Sequence, residues 1–385
     1  MRVLTLTSSF PRFEGDYYGN FVRTQCLRLA EAGVDITVVA PRTRSSAEGD
    51  ARLKVLRFPY MPSKSLEVLP EQTLRHAAPI DLIQLPPYLC SALLHLMGQP
   101  ADIVHAHLAI PMGYVASLSP RKVPLVVTCH GGDCLLPLEN PLYKPFVRRA
   151  LRRADRIVAV SQFIRDLAIR LGAPEEKVEV VYLGVDTERF RPPSDRGALR
   201  EALGIPIDRL IVGTLRRLVP EKRVEDFIRA AATIRDEVEA TFLVGGEGFR
   251  LPFLEEMAKE LGLEDLVFLG RVDEASTFHR LCDVFVLTSV GEGLSMSLQE
   301  AMATGCVPVA VDGFGCPELI TDGANGYLFR PGDVEGLAEK VIQAASNLRL
   351  GSSARETIVR HFGLEDGVRR HLDIYRELCQ HPSRL

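Results

Sequence analysis

The chain has 385 residues, 46% hydrophobic and 25% charged, the proportions of a folded globular protein rather than a disordered one. It has no run of about 18 apolar residues, so no spanning helix is expected, and its start, MRVLTLTSSFPRFEGD, lacks the length and small-residue cleavage site of a signal peptide. Net charge is −4 but uneven: residues 1–205 carry 26 Lys/Arg against 21 Asp/Glu, residues 206–385 carry 20 against 29, and no basic run is interleaved with aromatics, so nucleic acid is not an expected partner.

In chain order, Arg2–Thr7 reads as a strand and Asn20–Ala32 as a helix ending at Gly33, followed by a strand over Asp35–Ala40. Residues 43–75 are irregular and proline-containing, and no element is assigned there. Further strands are expected at Ile103–Ala106, Leu125–Cys129, Ile157–Val160 and Val178–Val181, with helical patterns between them. Adjacent prolines Pro192 and Pro193, mixed charge and lost periodicity suggest a linker near 186–206. A second series follows, with strands at Leu210–Thr214, Thr241–Val244, Val267–Leu269, Val284–Leu287 and Val307–Val311. The alternation implies two doubly wound α/β domains, residues 1–190 and 206–365, with 366–385 a helix returning to the first. Ligands of such sheets bind beyond the carboxyl ends of the strands, so two facing domains would put the site in the cleft between them. None of the eight cysteines lies in a Cys-x-x-Cys pair, so no zinc site is suggested; most sit in apolar contexts and read as small core residues of a cytoplasmic protein.

The most informative segment is TSVGEGLSMSLQEAMATGCVPVAVDGFGCPELI, residues 288–320. Glu292 sits between glycines at a strand end, and Glu300 lies eight residues on, within a helix expected from about Ser295 to Thr304. On one continuous helix the two would differ by about 80°; with Glu292 on the loop, both can point at one ligand. The amides of Gly293, Leu294 and Ser295 at the helix start are free for phosphate oxygens. A second segment, GTLRRLVPEKR (213–223), offers Arg217 and Lys222 just past a strand. A third, VVTCHGGDCL (126–135), places His130 at a strand end, followed by Gly131, Gly132 and Asp133; His105 and His107 of DIVHAHLAIP also lie at a strand end and read as packing or acceptor-lining residues. A fourth, SSFPRFEGDYYGNFVRTQ (8–25), joins the first strand to the first helix, with Gly19 and Gly15 as loop glycines and Asn20 as a helix cap.

These segments resemble glycosyltransferase family 4, over nearly the full chain and most densely at 213–331. Glu292 and Glu300 match the family's Glu-x7-Glu motif, 213–223 its phosphate clamp and 130–133 its His-Gly-x-Asp element. The resemblance implies a GT-B fold, two Rossmann-like domains facing a central cleft, and a retaining transfer of a hexose-type sugar from a nucleotide diphosphate sugar, UDP- ahead of GDP-, to a glycan or lipid-linked acceptor in polysaccharide or glycoconjugate synthesis. By the same resemblance Glu292 contacts the donor sugar hydroxyls and Glu300 the ribose, while Arg217 and Lys222 hold the diphosphate. His130 lies near the anomeric centre, the Gly19 amide meets a phosphate, and the backbone at Arg271 and Val272 reads the base. Asp133 and Asn20 are acceptor-side or orienting groups.

A guanidinium and an ammonium aimed at a departing diphosphate stabilise the leaving group more than the ground state, which removes the need for a metal; no Asp-x-Asp pair is present and no cofactor is expected. Two departures stand out: the family glycines before Arg217 and after Lys222 are Arg216 and Arg223 here, each of which either adds a phosphate contact or faces solvent, with solvent the leading expectation. The Gly-x-Gly of LVGGEGFR (243–250) lacks its third glycine and ribose-binding acid, so a dinucleotide site is not supported. Residues 144–156 (KPFVRRALRRADR) form a basic amphipathic pattern that suits either a solvated surface or peripheral contact with an anionic membrane at its inner face. Two other functions fit the same fold, a nucleotide-sugar epimerase and a non-catalytic nucleotide-sugar-binding subunit.

Overall fold

The computed structural model describes residues 1–43, 52–60 and 83–380. The chain divides into two compact units, Met1–Leu183 plus Glu365–Leu385, and Gly184–Leu364.

The first unit is built on a seven-stranded sheet of order β3-β2-β1-β4-β5-β6-β7. Its strands are β1 (Arg2–Leu6), β2 (Asp35–Pro41), β3 (Lys54–Phe58), β4 (Ile103–His107), β5 (Leu125–Cys129), β6 (Arg156–Ala159) and β7 (Val178–Val180). The second unit has six strands in the order β10-β9-β8-β11-β12-β13. These are β8 (Leu210–Leu215), β9 (Ala240–Gly245), β10 (Leu266–Gly270), β11 (Val284–Leu287), β12 (Val307–Val311) and β13 (Tyr327–Phe329). Every strand pairing among the described residues is parallel. The central strands β4, β5, β11 and β12 are buried at every position, as parallel strands covered on both faces must be, whereas the edge strands β7 and β10 are partly exposed. In each sheet the winding reverses once, at β1/β4 and at β8/β11. Those two reversals are where ligand sites form in doubly wound sheets.

Three expectations change. Within the unassigned stretch 43–75 the described residues include edge strand β3; the rest of that stretch lies largely outside the described residues. Residues 186–206 are not a bare linker but pack within the second unit. Asp195 caps the helix Arg196–Ala202, and the buried Arg200 donates to Leu281 O (2.6 Å) and Asp283 Oδ2 (2.7 Å), so one carboxylate at the foot of β11 anchors the segment. The basic pattern at 144–156 is a helix only over Lys144–Arg153; Arg156 opens β6.

The helix Leu364–Gln380 lies against the first unit, with Ile374 and Tyr375 fully buried and Arg370 paired to Glu179 of β7 (2.6 Å to Oε2). No helix among the described residues is long and apolar enough to cross a membrane. Six of the eight cysteines are buried, Cys90 and Cys379 being exposed, and none is paired.

Candidate active site

In the second unit the loop after β8 carries Arg216, Arg217 and Lys222, and the loop after β11 carries Ser289 and Glu292, so they meet at the β8/β11 reversal. Lys222 Nζ donates to Glu292 Oε1 at 2.7 Å, and Arg216 NH2 lies 3.3 Å from the same oxygen. Arg216 does not face solvent as its sequence context suggested. Its side chain is 5% exposed, because it leaves the central strand into a nest of acceptors: it donates to Ser289 Oγ and, at 3.2 Å, to Ser295 Oγ. Arg223 is more exposed and pairs with Asp226 at 2.6 Å, on a left-handed backbone (φ 48°) that suits the glycine usual at that place.

Burial alone would raise the Glu292 carboxyl, but Lys222 and Arg216 outweigh it and hold the group at about 2. Burial depresses Lys222 despite its carboxylate partner. The Arg217 side chain has no hydrogen-bond or ion-pair partner among the described residues; its carbonyl accepts from Val219 N at 3.1 Å. Two cations therefore share one carboxylate while a third in the same loop is unpaired, and the locality is short of negative charge.

Ser295 caps the helix Met296–Ala303 by accepting from Leu298 N at 3.4 Å. The amides of Gly293, Leu294 and Ser295 donate to no described residue. The 313–316 loop closes over this turn. Gly315 N donates to Glu292 O at 3.2 Å, and a Cβ on Gly315 would lie 2.0 Å from Gly293 O, so only glycine allows the approach. Cations and free helix-start amides thus converge on one place, a combination suited to a diphosphate.

Glu300 stands apart from the Lys222 cluster, in the second turn of its helix. Its carboxylate lies 3.5 Å from His279 Nε2, a fully buried imidazole. Arg271 and Val272 follow β10; Arg271 Nε donates to Asp273 at 2.7 Å.

In the first unit His130 follows β5 and His107 ends β4. His107 Nδ1 and His130 Nε2 are 3.0 Å apart, one donating and the other accepting, with the rings stacked at 5.2 Å. The stack continues through His105 (4.4 Å from His107) to His371 (5.7 Å from His105). His105 is held by Tyr375 OH (2.6 Å) and Thr128 Oγ1 (2.7 Å). Burial, with the neighbouring imidazoles, lowers His105 and His107 well below the usual range; burial, then the charge of His371, takes His130 to about 3, and burial takes His371 to about 4. This is a column of neutral imidazoles.

Asp133 accepts from Ala109 N (2.7 Å), His130 N (3.1 Å) and Gly131 N (2.9 Å), so it fixes the turn that presents His130. Gly19 has φ 67°, and a Cβ there would fall 2.4 Å from Ser9 C. Its amide donates to no described residue. Asn20 is not the cap it was expected to be. Gly19 O already receives Val22 N (3.0 Å), which makes Gly19 the cap and places Asn20 inside the first turn. Among the described residues Cys129, Asp133 and Cys134 bring three ligand-type atoms within 4.8 Å of one another. They suit a metal poorly: Asp133 is committed to three amides, and the Cys134 thiol is pushed well up by its own hydrogen bond with Cys129 and by burial.

Comparison with known proteins agrees with both halves. Residues 19–189 match the sequence model Glycosyltransferase Family 4, and 195–357 match Glycosyl transferases group 1. The chain is 31% identical over 314 residues to N-acetyl-alpha-D-glucosaminyl L-malate synthase of Bacillus anthracis (78% of this chain, 82% of that protein). The chain belongs to glycosyltransferase family 4. This transferase is also 30% identical over 393 residues to a GDP-mannose-dependent alpha-(1-6)-phosphatidylinositol monomannoside mannosyltransferase of Mycolicibacterium smegmatis, covering 94% of each. Its fold is that of sucrose-phosphate synthase from Thermosynechococcus elongatus (TM-score 0.84, 19% identity, 98% and 99% covered) and of Anabaena HepE solved with UDP-glucose (TM-score 0.76, 23% identity, both chains fully covered). The enzyme is therefore a GT-B glycosyltransferase, which sets aside the epimerase and non-catalytic readings.

The sequence pointed to Arg216 but not to its anchoring on Ser289, Glu292 and Ser295, and it carried no sign of Tyr375 or of the continuity of the histidine column. The spacing of His105 and His107 did carry a signal, since residues two apart on a strand share a face. Nothing local pointed to His371 or Tyr375, which lie more than 260 residues further along.

Proposed function

We propose that the transferase moves a hexose-type sugar from a UDP-sugar, ahead of a GDP-sugar, to a hydroxyl of a glycan or lipid-linked acceptor, with retention of anomeric configuration and without a metal. The observation that carries this is the pairing of Arg216 and Lys222 with the single carboxylate Glu292, with the unpaired Arg217 side chain in the same loop and the unpartnered amides of 293–295 beside them. A diphosphate supplies the charge this locality lacks. As the glycosidic bond breaks, Arg217 and Lys222 stabilise the growing charge on the leaving oxygen, the part a divalent cation plays elsewhere. Glu292 accepts from the sugar hydroxyls, Glu300 from the ribose, and the backbone around Arg271 and Val272 meets the base.

His130, neutral and held by His107 and Asp133, can donate or accept a hydrogen bond toward the sugar but is a poor proton acceptor. Retention follows if the acceptor hydroxyl attacks from the face the diphosphate leaves. The new bond forms at the anomeric carbon, the bond to the diphosphate breaks, and a diphosphate oxygen takes the proton. One relative is GDP-mannose-dependent, which makes GDP-mannose the competitor to test.

A lipid-linked acceptor is favoured by the helix Lys144–Arg153 and its approach: Leu142 and Phe146 are exposed among Lys144, Arg148, Arg149 and Arg152, while Val147, Ala150 and Leu151 pack inward. Flotation with anionic liposomes at low salt checks this, and no recruitment removes the membrane contact. For the reaction itself, release of nucleoside diphosphate from UDP-glucose and GDP-mannose is measured in EDTA. Saturable release, abolished by Glu292→Ala and by Lys222→Ala, is expected. Release that needs metal, or that survives both changes, contradicts it.

A further inference from the structure

Arg216 stands where the family carries glycine, and its contacts are those of a built part rather than of a surface side chain. Its guanidinium joins three points of the loop between β11 and the next helix: Ser289 at the loop's start, Glu292 at its middle and Ser295 at the helix cap. Its Nε is buried and has no partner. Lys222 shares the same Glu292 oxygen but is differently tethered. Its side chain makes only the 2.7 Å bond to Glu292 among the described residues, and two of its three N–H groups are unused. When a diphosphate arrives beside Arg217, the flexible ammonium is the group able to turn to it, whereas the anchored guanidinium is not.

We propose that Arg216 is a positioning residue that keeps the Glu292 carboxylate fixed and compensated when Lys222 turns to a bound diphosphate. With glycine at 216, releasing Lys222 would leave Glu292 half-buried without a counter-ion. With arginine there, Glu292 keeps one cation and its place on the loop, so its oxygens stay aimed at the sugar hydroxyls. The inference rests on the donor chemistry proposed above, and it adds a division of labour: Lys222 serves the phosphates, Arg216 serves the sugar through Glu292.

The test compares wild type with Arg216→Met, which keeps length and loses charge, and Arg216→Lys, which keeps charge. UDP affinity by calorimetry, UDP release from UDP-glucose, GDP release from GDP-mannose and Tm are read for each. Arg216→Met is expected to bind UDP within about threefold of wild type while turnover falls about 100-fold, the scale of a misplaced reacting group. Arg216→Lys is expected to recover most of the turnover. If Arg216→Met fails to fold, Ser289→Ala, which frees one anchor of the guanidinium, is expected to show the same split more weakly. Wild-type turnover in Arg216→Met, or UDP binding that falls in step with turnover in whichever variant folds, overturns the assignment. A wild type that binds neither UDP nor GDP sinks the donor chemistry itself and the role of Arg216 with it.

Discussion

The two units answer the same physical problem in opposite ways. Each places ionisable side chains where a parallel sheet reverses its winding, in surroundings that penalise charge. In the first unit the penalty is met by giving up charge: His105, His107, His130 and His371 are all driven toward the neutral form by burial. In the second it is met by pairing, with Glu292 kept ionised at about 2 by Lys222 and Arg216. The cation cluster moreover lies in the half of the chain with the acidic surplus, 20 Lys/Arg against 29 Asp/Glu. Net charge describes a unit's surface; its site is set by which side chains a few loops bring inward.

The contrast breaks most visibly in acid. Each imidazole has a folded pKa below its ordinary 6.5, so the unfolded chain takes up its proton first. The stability is complete above about 6.5 and is lost as pH falls toward 4 and 3 for His371 and His130. The slope is about 1.4 kcal/mol per pH unit for each histidine held neutral. Urea titrations at pH 7.5 and 5.0 with hydrogen-exchange readout should show the first unit opening at the lower pH while the Glu292 cluster persists; equal loss in both units would erase the distinction. The carboxylate has the same sign but a lower window. Its contribution is present above 4.5 and lost only as pH falls toward 2.

Next in size is Lys222→Ala, expected to lower kcat/KM for donor hydrolysis about 100- to 1000-fold, the cost of removing one preorganised donor to a developing anion. Glu292→Gln strands two cations and is expected to cost about 3 kcal/mol of second-unit stability, largely restored by saturating UDP, as denaturant midpoints with and without nucleotide will show. A small loss that UDP does not offset would mean the pair is not what holds the loop. The smallest effect is Gly19→Ala, about 1–3 kcal/mol in thermal unfolding, from a positive φ and a Cβ with no room beside Ser9. A neutral Gly19→Ala would show that the 8–19 loop can shift freely.

The fold was legible because alternating strands and helices leave a strong periodic trace. Leu125–Cys129, Val284–Leu287 and Val307–Val311 fall where expected. The edge strands β3 and β13 were not assigned: β3 is partly exposed and without a clear apolar period, and β13 is only three residues long. Of the site, Glu292, Arg217, Lys222 and His130 were visible through motif spacing. Arg216 was visible as a departure from the motif, but not its role, because a lone arginine's usual place is solvent and only the three-dimensional arrangement brings Ser289, Ser295 and Glu292 to it. The 186–206 stretch misled for a similar reason: its order comes from Asp283, some 80 residues away.

The central claim, that a metal-free cation cluster at the β8/β11 reversal holds the donor diphosphate, is tested most directly by titrating UDP into the wild-type protein and Lys222→Ala by calorimetry, in EDTA and again with Mg²⁺. Binding in EDTA that Mg²⁺ does not strengthen and that Lys222→Ala weakens at least about tenfold is the predicted result. Binding that appears only with Mg²⁺, or that Lys222→Ala leaves intact, contradicts it.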